Sequence, residues 1–291
     1  MKQLAYKEML KRSFADVFSN KLLWFLGIFV GGSAVLLDYL TKDWRGIARL
    51  SVTELWEKAK FIFSSFEAFT VTLITVVLLV LIFLLVFWAR ASILWGVKWA
   101  NNKEKYSFSG LLKAGWGNIK SIISFEIVFG LVNMILAVAT GTTLMYLDSS
   151  PWMMLLFIIV AVLLLAFNLA LFFFKHFIYC NVVLEGRKSI DSVRSGWKLM
   201  VSNFMPIVHV KLLEILFWVA AVFAIMLGLI LLALPFVLLS VLALMFVGMT
   251  VFNFVSMLGL IVLIIALLIF KGMASAYVQF YMTRVFWALK K

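Results

Sequence analysis

The chain has 291 residues, 65% of them hydrophobic and only 13% charged, with a mean hydropathy of +1.13. Soluble domains are about half apolar and about a quarter charged, so a water-soluble globular class is excluded. A formal charge of +13 without a dense basic block points to membrane topology and not to nucleic acid. A single cysteine, Cys180, excludes a disulfide framework and a thiolate metal cluster.

The first 21 residues are amphipathic and mixed in charge. They lack a short basic stretch running into a cleavable apolar core, which predicts a retained membrane helix from Leu22 onward. Six apolar runs are long enough to cross a bilayer as helix, at 22–40, 68–90, 119–147, 151–177, 206–234 and 251–278. They do not alternate in polarity, which excludes barrel strands. The second, fourth and sixth are expected to continue as helix beyond the bilayer. Between the first two, Ser51-Val52-Thr53-Glu54 has the form of a capping box and predicts a short surface helix carrying Leu55, Trp56, Ala59 and Phe63. A tight turn at Asp148-Ser149-Ser150 leads to Pro151, and Ser202-Asn203 leads to Pro206; both prolines suit helix starts. The stretch 235–249 is almost wholly apolar and too short for another crossing pair, so it is expected to be a buried or re-entrant excursion.

Orientation follows from the bases. All but five of the 26 Lys and Arg lie in the N-terminus, in 90–120, in 175–211 or in the tail from Lys271. The exceptions, Lys42, Arg45, Arg49, Lys58 and Lys60, are balanced by Asp38, Asp43, Glu54, Glu57 and Glu67. Positive-inside logic places both termini of this multi-pass protein in the cytoplasm.

Two patterns recur three times. Lys11-x-Ser13-Phe14-x4-Ser19, Lys113-x-Gly115-Trp116-x4-Ser121 and Arg194-x-Gly196-Trp197-x4-Ser202 each place a base, a small residue, an aromatic and a serine where an amphipathic segment enters an apolar one. Arg90, Lys175 and Lys271 each close an apolar run, and Val97, Val182 and Val278 follow seven residues later. The chain therefore reads as one integral membrane domain, 1–291, of three tandem helical hairpins at about 1–105, 106–186 and 187–291. The expected fold is all-α, with six membrane helices and amphipathic leading helices on the cytoplasmic side.

With these repeats laid out, the chain resembles a broad group of bacterial six-helix membrane proteins of uncharacterised role. These are similar to the membrane domain found beside some glycerophosphoryl diester phosphodiesterases. The residues that carry the likeness are Val182-Val183-Leu184-Glu185-Gly186, Ser189-Ile190, Ser195 through Phe204, and Asn20 through Gly27. The resemblance implies a membrane module. In the related proteins the diesterase chemistry belongs to a separate soluble domain, so no catalytic residue carries over.

The chemistry-bearing residues are few. Glu126 and Glu214 are acids inside expected spans, where carboxylates are costly and functional by default. Lys211 and Glu214 share a helix face and can pair; His209 lies on another. A proton or ion relay through Glu126, His209 and Glu214 is one reading. The other, weighed more heavily, is that the acids neutralise the bundle's own bases: Lys211, Arg90, Lys175 or Lys271. His176 reads as an interfacial or satisfied imidazole and not as a metal ligand. Asn133, Asn168 and Gln279 fit hydrogen bonds between helices.

Lys11, Phe14, Lys113, Trp116, Arg194 and Trp197 read as an interfacial belt that binds anionic lipid. No phosphate loop, Gly-x-Ser-x-Gly, His-Glu-x-x-His or Cys-x-x-Cys is present. The leading expectation is a non-enzymatic module that binds lipid, a partner protein or a second copy of itself, with no cofactor, metal or nucleic acid. The alternative is a transporter or channel lined by Glu126, His209 and Glu214. A water-accessible cavity holding either acid favours transport; lipid against the leading helices favours the module.

Overall fold

A computed structural model describes residues 6–30, 54, 57, 60–61, 64–102, 104, 107–145 and 151–290. Among them the regular structure is helix alone. We label α1 (Tyr6–Ser19), α2 (Lys21–Val30), α3 (Phe66–Asn101), α4 (Phe108–Met145), α5 (Pro151–Leu184), α6 (Ser189–Ser202), α7 (Phe204–Phe246) and α8 (Met249–Lys290). Five of these, α3, α4, α5, α7 and α8, are long and apolar enough to cross a membrane; a sixth crossing is counted if α1 and α2 form one bent span. The protein is a multi-pass helical membrane protein.

The helix ends are set by local chemistry. Asn20 breaks α1 from α2, which turn through 103°. Its side-chain oxygen accepts from the Leu22 N–H at 3.1 Å, and the Trp24 indole donates to the Val17 carbonyl at 2.7 Å, holding the corner. Ser65 caps α3 by accepting from the Ala68 N–H, and Ser107 does the same for α4 at Gly110. Gly186 and Gly248 have φ of 64° and 120°, where side chains are disfavoured. Gly248 lets the chain reverse within two residues between α7 and α8.

Several expectations need correction. The stretch 235–249 is no excursion: α7 runs unbroken through Pro235 to Phe246, and α8 starts at Met249. Proline removes one helical hydrogen bond, whereas an unwound loop in hydrocarbon would strand many backbone groups. The leading segment of the second hairpin is not a separate helix either. Lys113 and Trp116 lie on the first turns of α4, because 108–145 carries no residue that stops a helix. The surface helix expected at 51–63 and the turn at 148–150 fall largely or wholly outside the described residues; Glu54, Glu57, Lys60, Phe61 and Ser64 are helical. The first span, 22–40, is described as far as Val30.

The packed core sits at one end of the helices, here called basal. In α3 the buried residues are confined to 86–97, in α5 to 171–183, and in α8, apart from Gly259, to 272–286. Phe125, Phe177, Ile178 and Phe286 centre one cluster; Leu23, Ile93, Leu111 and Phe280 centre a second. Toward the distal tips the helices show large apolar side chains on most faces. That pattern suits lipid, because the bilayer supplies no hydrophobic drive to bury them.

At the basal end α3, α5 and α8 pack against one another, each in contact with both others. The start of α4 lies on α3, α6 lies on α5, and α1 lies on α8. In the first case Trp88 donates to the Leu112 carbonyl at 3.0 Å. In the last, Arg284 donates to the Ser13 hydroxyl at 3.1 Å and forms an ion pair with Asp16.

Candidate functional site

Where the apolar runs end, five charged side chains from four helices converge. Arg90 on α3 and Lys175 on α5 flank Glu126 on α4, with nitrogen–oxygen distances of 3.6 and 3.0 Å. On α7 the Lys211 ammonium donates to Glu214 at 2.8 Å. Lys211 is only 5% exposed and also lies 4.5 Å from the centre of the Phe172 ring. A guanidinium contact completes the group: Arg90 donates to the Tyr179 hydroxyl at 2.6 Å, with its Cζ 4.7 Å from that ring's centre.

These side chains surround a cavity of about 350 Å³ between the α4/α5 and α7/α8 hairpins. Arg90, Lys175, Lys211 and Glu214 line it, with Glu126 held just behind by its two bases. Helical spacing explains the alignment: Asn168, Leu171, Phe172, Lys175 and Tyr179 fall on one face of α5. Distal to the charges, Asn168 donates to Asn133 at 3.0 Å across the hairpin. On α8, Gln279 reaches the cavity wall. Two buried atoms at this wall, Arg90 Nε and Gln279 Oε1, have no hydrogen-bond partner among the described residues.

His176 closes the basal side. Its Nε2 lies 3.3 Å from the Thr283 hydroxyl, which itself donates to the Gln279 carbonyl at 2.7 Å. The hydroxyl proton is committed, so the imidazole donates and carries its proton on Nε2. Among the described residues no group of three or more His, Cys, Asp or Glu could hold a metal ion.

The sequence expectation of acids neutralised by bundle bases fits Glu126 with Arg90 and Lys175, and Glu214 with Lys211. It fails for Lys271, which does not line the cavity. Val278 and Gln279, seven and eight residues further along α8, line it instead. The long third hairpin shifts its register, so equal sequence spacing does not give equal depth. The relay of Glu126, His209 and Glu214 is not assembled: His209 points away from the cavity, with Nδ1 2.9 Å from the Met205 carbonyl. Tyr179 was missed by sequence reasoning, although its place four residues after Lys175 puts both on one face.

The three leading segments have matching exposure. Lys11, Lys113 and Arg194 are exposed, as are Phe14, Trp116 and Trp197. The small residue between base and aromatic is buried each time: Ser13, Gly115 and Gly196. A Cβ on Gly115 would meet Trp88 and Ser92 of α3, and one on Gly196 would meet Ile178 of α5. Phe14 packs edge-on to Tyr277, and Trp197 packs edge-on to Phe174. These contacts bring the aromatics close to the level of the charged cluster.

No family model, curated protein or solved structure matches the chain.

Proposed function

We propose that the protein is a non-enzymatic membrane module of the bacterial inner membrane, with both termini cytoplasmic, that binds anionic lipid at the inner headgroup layer. The observation that carries this reading is the shared exposure of base and aromatic in the three leading segments, with the small residue turned inward. Exposed Lys or Arg beside Trp or Phe at a span end is the arrangement that anchors to headgroups.

Depth supports it. From Phe66 to Arg90 and from Pro151 to Lys175, each helix covers about 36 Å at 1.5 Å per residue. The hydrocarbon layer is about 30 Å thick. With the distal ends at one boundary, the charged cluster falls just past the other, among phosphates. The contacts of α1 with α8, α4 with α3, and α6 with α5 also form a closed cycle. This supports three hairpin repeats related by rotation about an axis near the membrane normal.

One observation favours the transporter reading: the cavity holds Glu214. Its carboxylate is committed to Lys211, and α5 is wholly apolar from Pro151 to Phe167, which gives a polar solute little to follow beyond Asn168. The module therefore stands first. The test is a triple variant, Lys11→Gln, Lys113→Gln and Arg194→Gln, compared with the unaltered protein for phosphatidylglycerol retained through purification. Each base near an anionic surface is worth about 1 kcal/mol. A clear loss of co-purifying lipid is expected; unchanged retention refutes the reading and leaves the fold intact.

A further inference from the structure

The cavity described above has a charge imbalance. Arg90, Lys175 and Lys211 supply three cations, and Glu126 and Glu214 supply two anions, leaving one net positive charge. A surplus positive charge in a walled cleft draws a counter-ion. Arg90 and Lys175, 16% and 34% exposed, are the cations of the group that a bound anion can reach. A surplus cation at a cavity wall suits an oxyanion.

We infer that this cavity is a binding site for one phosphodiester monoanion, carried on a lipid headgroup. The proposal deepens, and rests on, the lipid-binding reading above, and it adds a single specific site to a general surface affinity. In this site Arg90 and Lys175 take the phosphate, with Lys211 and Gln279 in the surrounding wall. The volume, about 350 Å³, lies at the lower end of small-ligand pockets and suits a glycerol-phosphate group with its acyl chains outside. Those chains would run distally along the exposed apolar faces of α5 and α7, where Phe172, Leu216 and Phe223 are uncovered. Depth favours lipid over a free phosphate: the cluster falls in the phosphate layer by the helix-length reckoning given above.

Charge counting also gives a test whose variants move in opposite directions. Lys175→Gln removes the surplus charge yet strands no acid, because Arg90 remains beside Glu126. Glu126→Gln raises the surplus to two. Full-length protein in detergent is titrated with phosphatidylglycerol, phosphatidylcholine and glycerol phosphate, and bound species are counted by native mass spectrometry. The unaltered protein should hold one phosphatidylglycerol at collision energies that strip phosphatidylcholine. Lys175→Gln should weaken that adduct about tenfold, the usual worth of one charge-assisted contact. Arg90→Gln should do the same, and so serves if Lys175→Gln does not fold. Glu126→Gln should hold the lipid at least as tightly.

Equal retention by Lys175→Gln and the unaltered protein overturns the site. Displacement of the lipid by millimolar glycerol phosphate overturns the lipid assignment. The triple variant of Lys11, Lys113 and Arg194 separates this proposal from the broader one. If it sheds loosely held lipid but keeps the single tight adduct, the cavity site stands. If only Lys175→Gln loses lipid, the site stands and the surface reading falls.

Discussion

Glu214→Gln offers the sharpest test of the buried charge arrangement. The substitution keeps the shape of the side chain and removes its charge, leaving Lys211 as a 5% exposed ammonium without an acid. Removing one partner of a fully buried pair costs roughly 3–5 kcal/mol, against about 0–1 kcal/mol for a surface pair. Glu214 keeps 15% of its side chain exposed to the cavity, which moves the expectation to about 2–3 kcal/mol. At roughly 2–4 °C per kcal/mol, the midpoint of thermal unfolding in detergent should fall by about 5–10 °C. The double substitution Lys211→Met with Glu214→Leu should recover most of that loss, since a buried pair replaced by apolar groups is often neutral. Unfolding followed by intrinsic tryptophan fluorescence would read all three proteins on one scale. If Glu214→Gln stays within about 1 °C of the parent, the pair carries no buried energy and the reasoning is refuted. If that variant keeps its stability and also loses proton-coupled flux in liposomes, the transporter reading replaces the structural one.

Other outcomes follow from single contacts. Gly27 of α2 and Gly272 of α8 touch backbone to backbone, so Gly27→Ala or Gly272→Ala should destabilise by about 1–3 kcal/mol in the same melt. Gly130 and Gly228 face open space, and alanine there should be neutral or stabilising by up to about 1 kcal/mol. Lys271 stands outside the charged cavity, so Lys271→Leu should shift stability by no more than about 0.5 kcal/mol. In a Cys180→Ser background, a cysteine at Val247 should react with an impermeant maleimide added to intact cells. A cysteine at Glu104 should react only after permeabilisation, and the reverse pattern would invert the proposed orientation.

The membrane class and the long helices were legible because hydropathy over twenty residues is an additive property of the chain. The pairing of Lys211 with Glu214 was legible because three residues on a helix bring side chains together. What failed was depth. Lys271 occupies the same sequence position relative to its valine as Arg90 and Lys175, yet it does not line the cavity with them. Periodicity fixes a face; the level along the axis depends on how long each hairpin is and how it crosses its neighbours. His209 follows the other rule: two positions from Lys211 is another side of the helix, and its Nδ1 lies against the Met205 carbonyl. The continuous passage through Pro235 was missed because the length of 235–249 was weighed against a further crossing pair and not against an extension of α7. In lipid, unwinding there would strand more backbone groups than the one hydrogen bond that proline removes.

Helix α7 has 43 residues, about 65 Å of rod. From Glu214 to Lys271 the chain carries no charge at all, and the uncharged part of α7 alone, 215–246, is about 48 Å long. That is half again the thickness of the oil layer, and hiding it by leaning alone would need a tilt of about 50°, beyond the usual range of 0–40°. The α7/α8 pair is held together near its tip by the Ser256–Ser240 hydrogen bond and by Phe236 packed over Gly259, so its two arms lean together. The surrounding membrane must therefore yield as well, swelling along this flank while the shorter α4/α5 flank leaves it undistorted. Longer acyl chains relieve the misfit on one side only, so a change in lipid length would rock the third hairpin about the packed basal core.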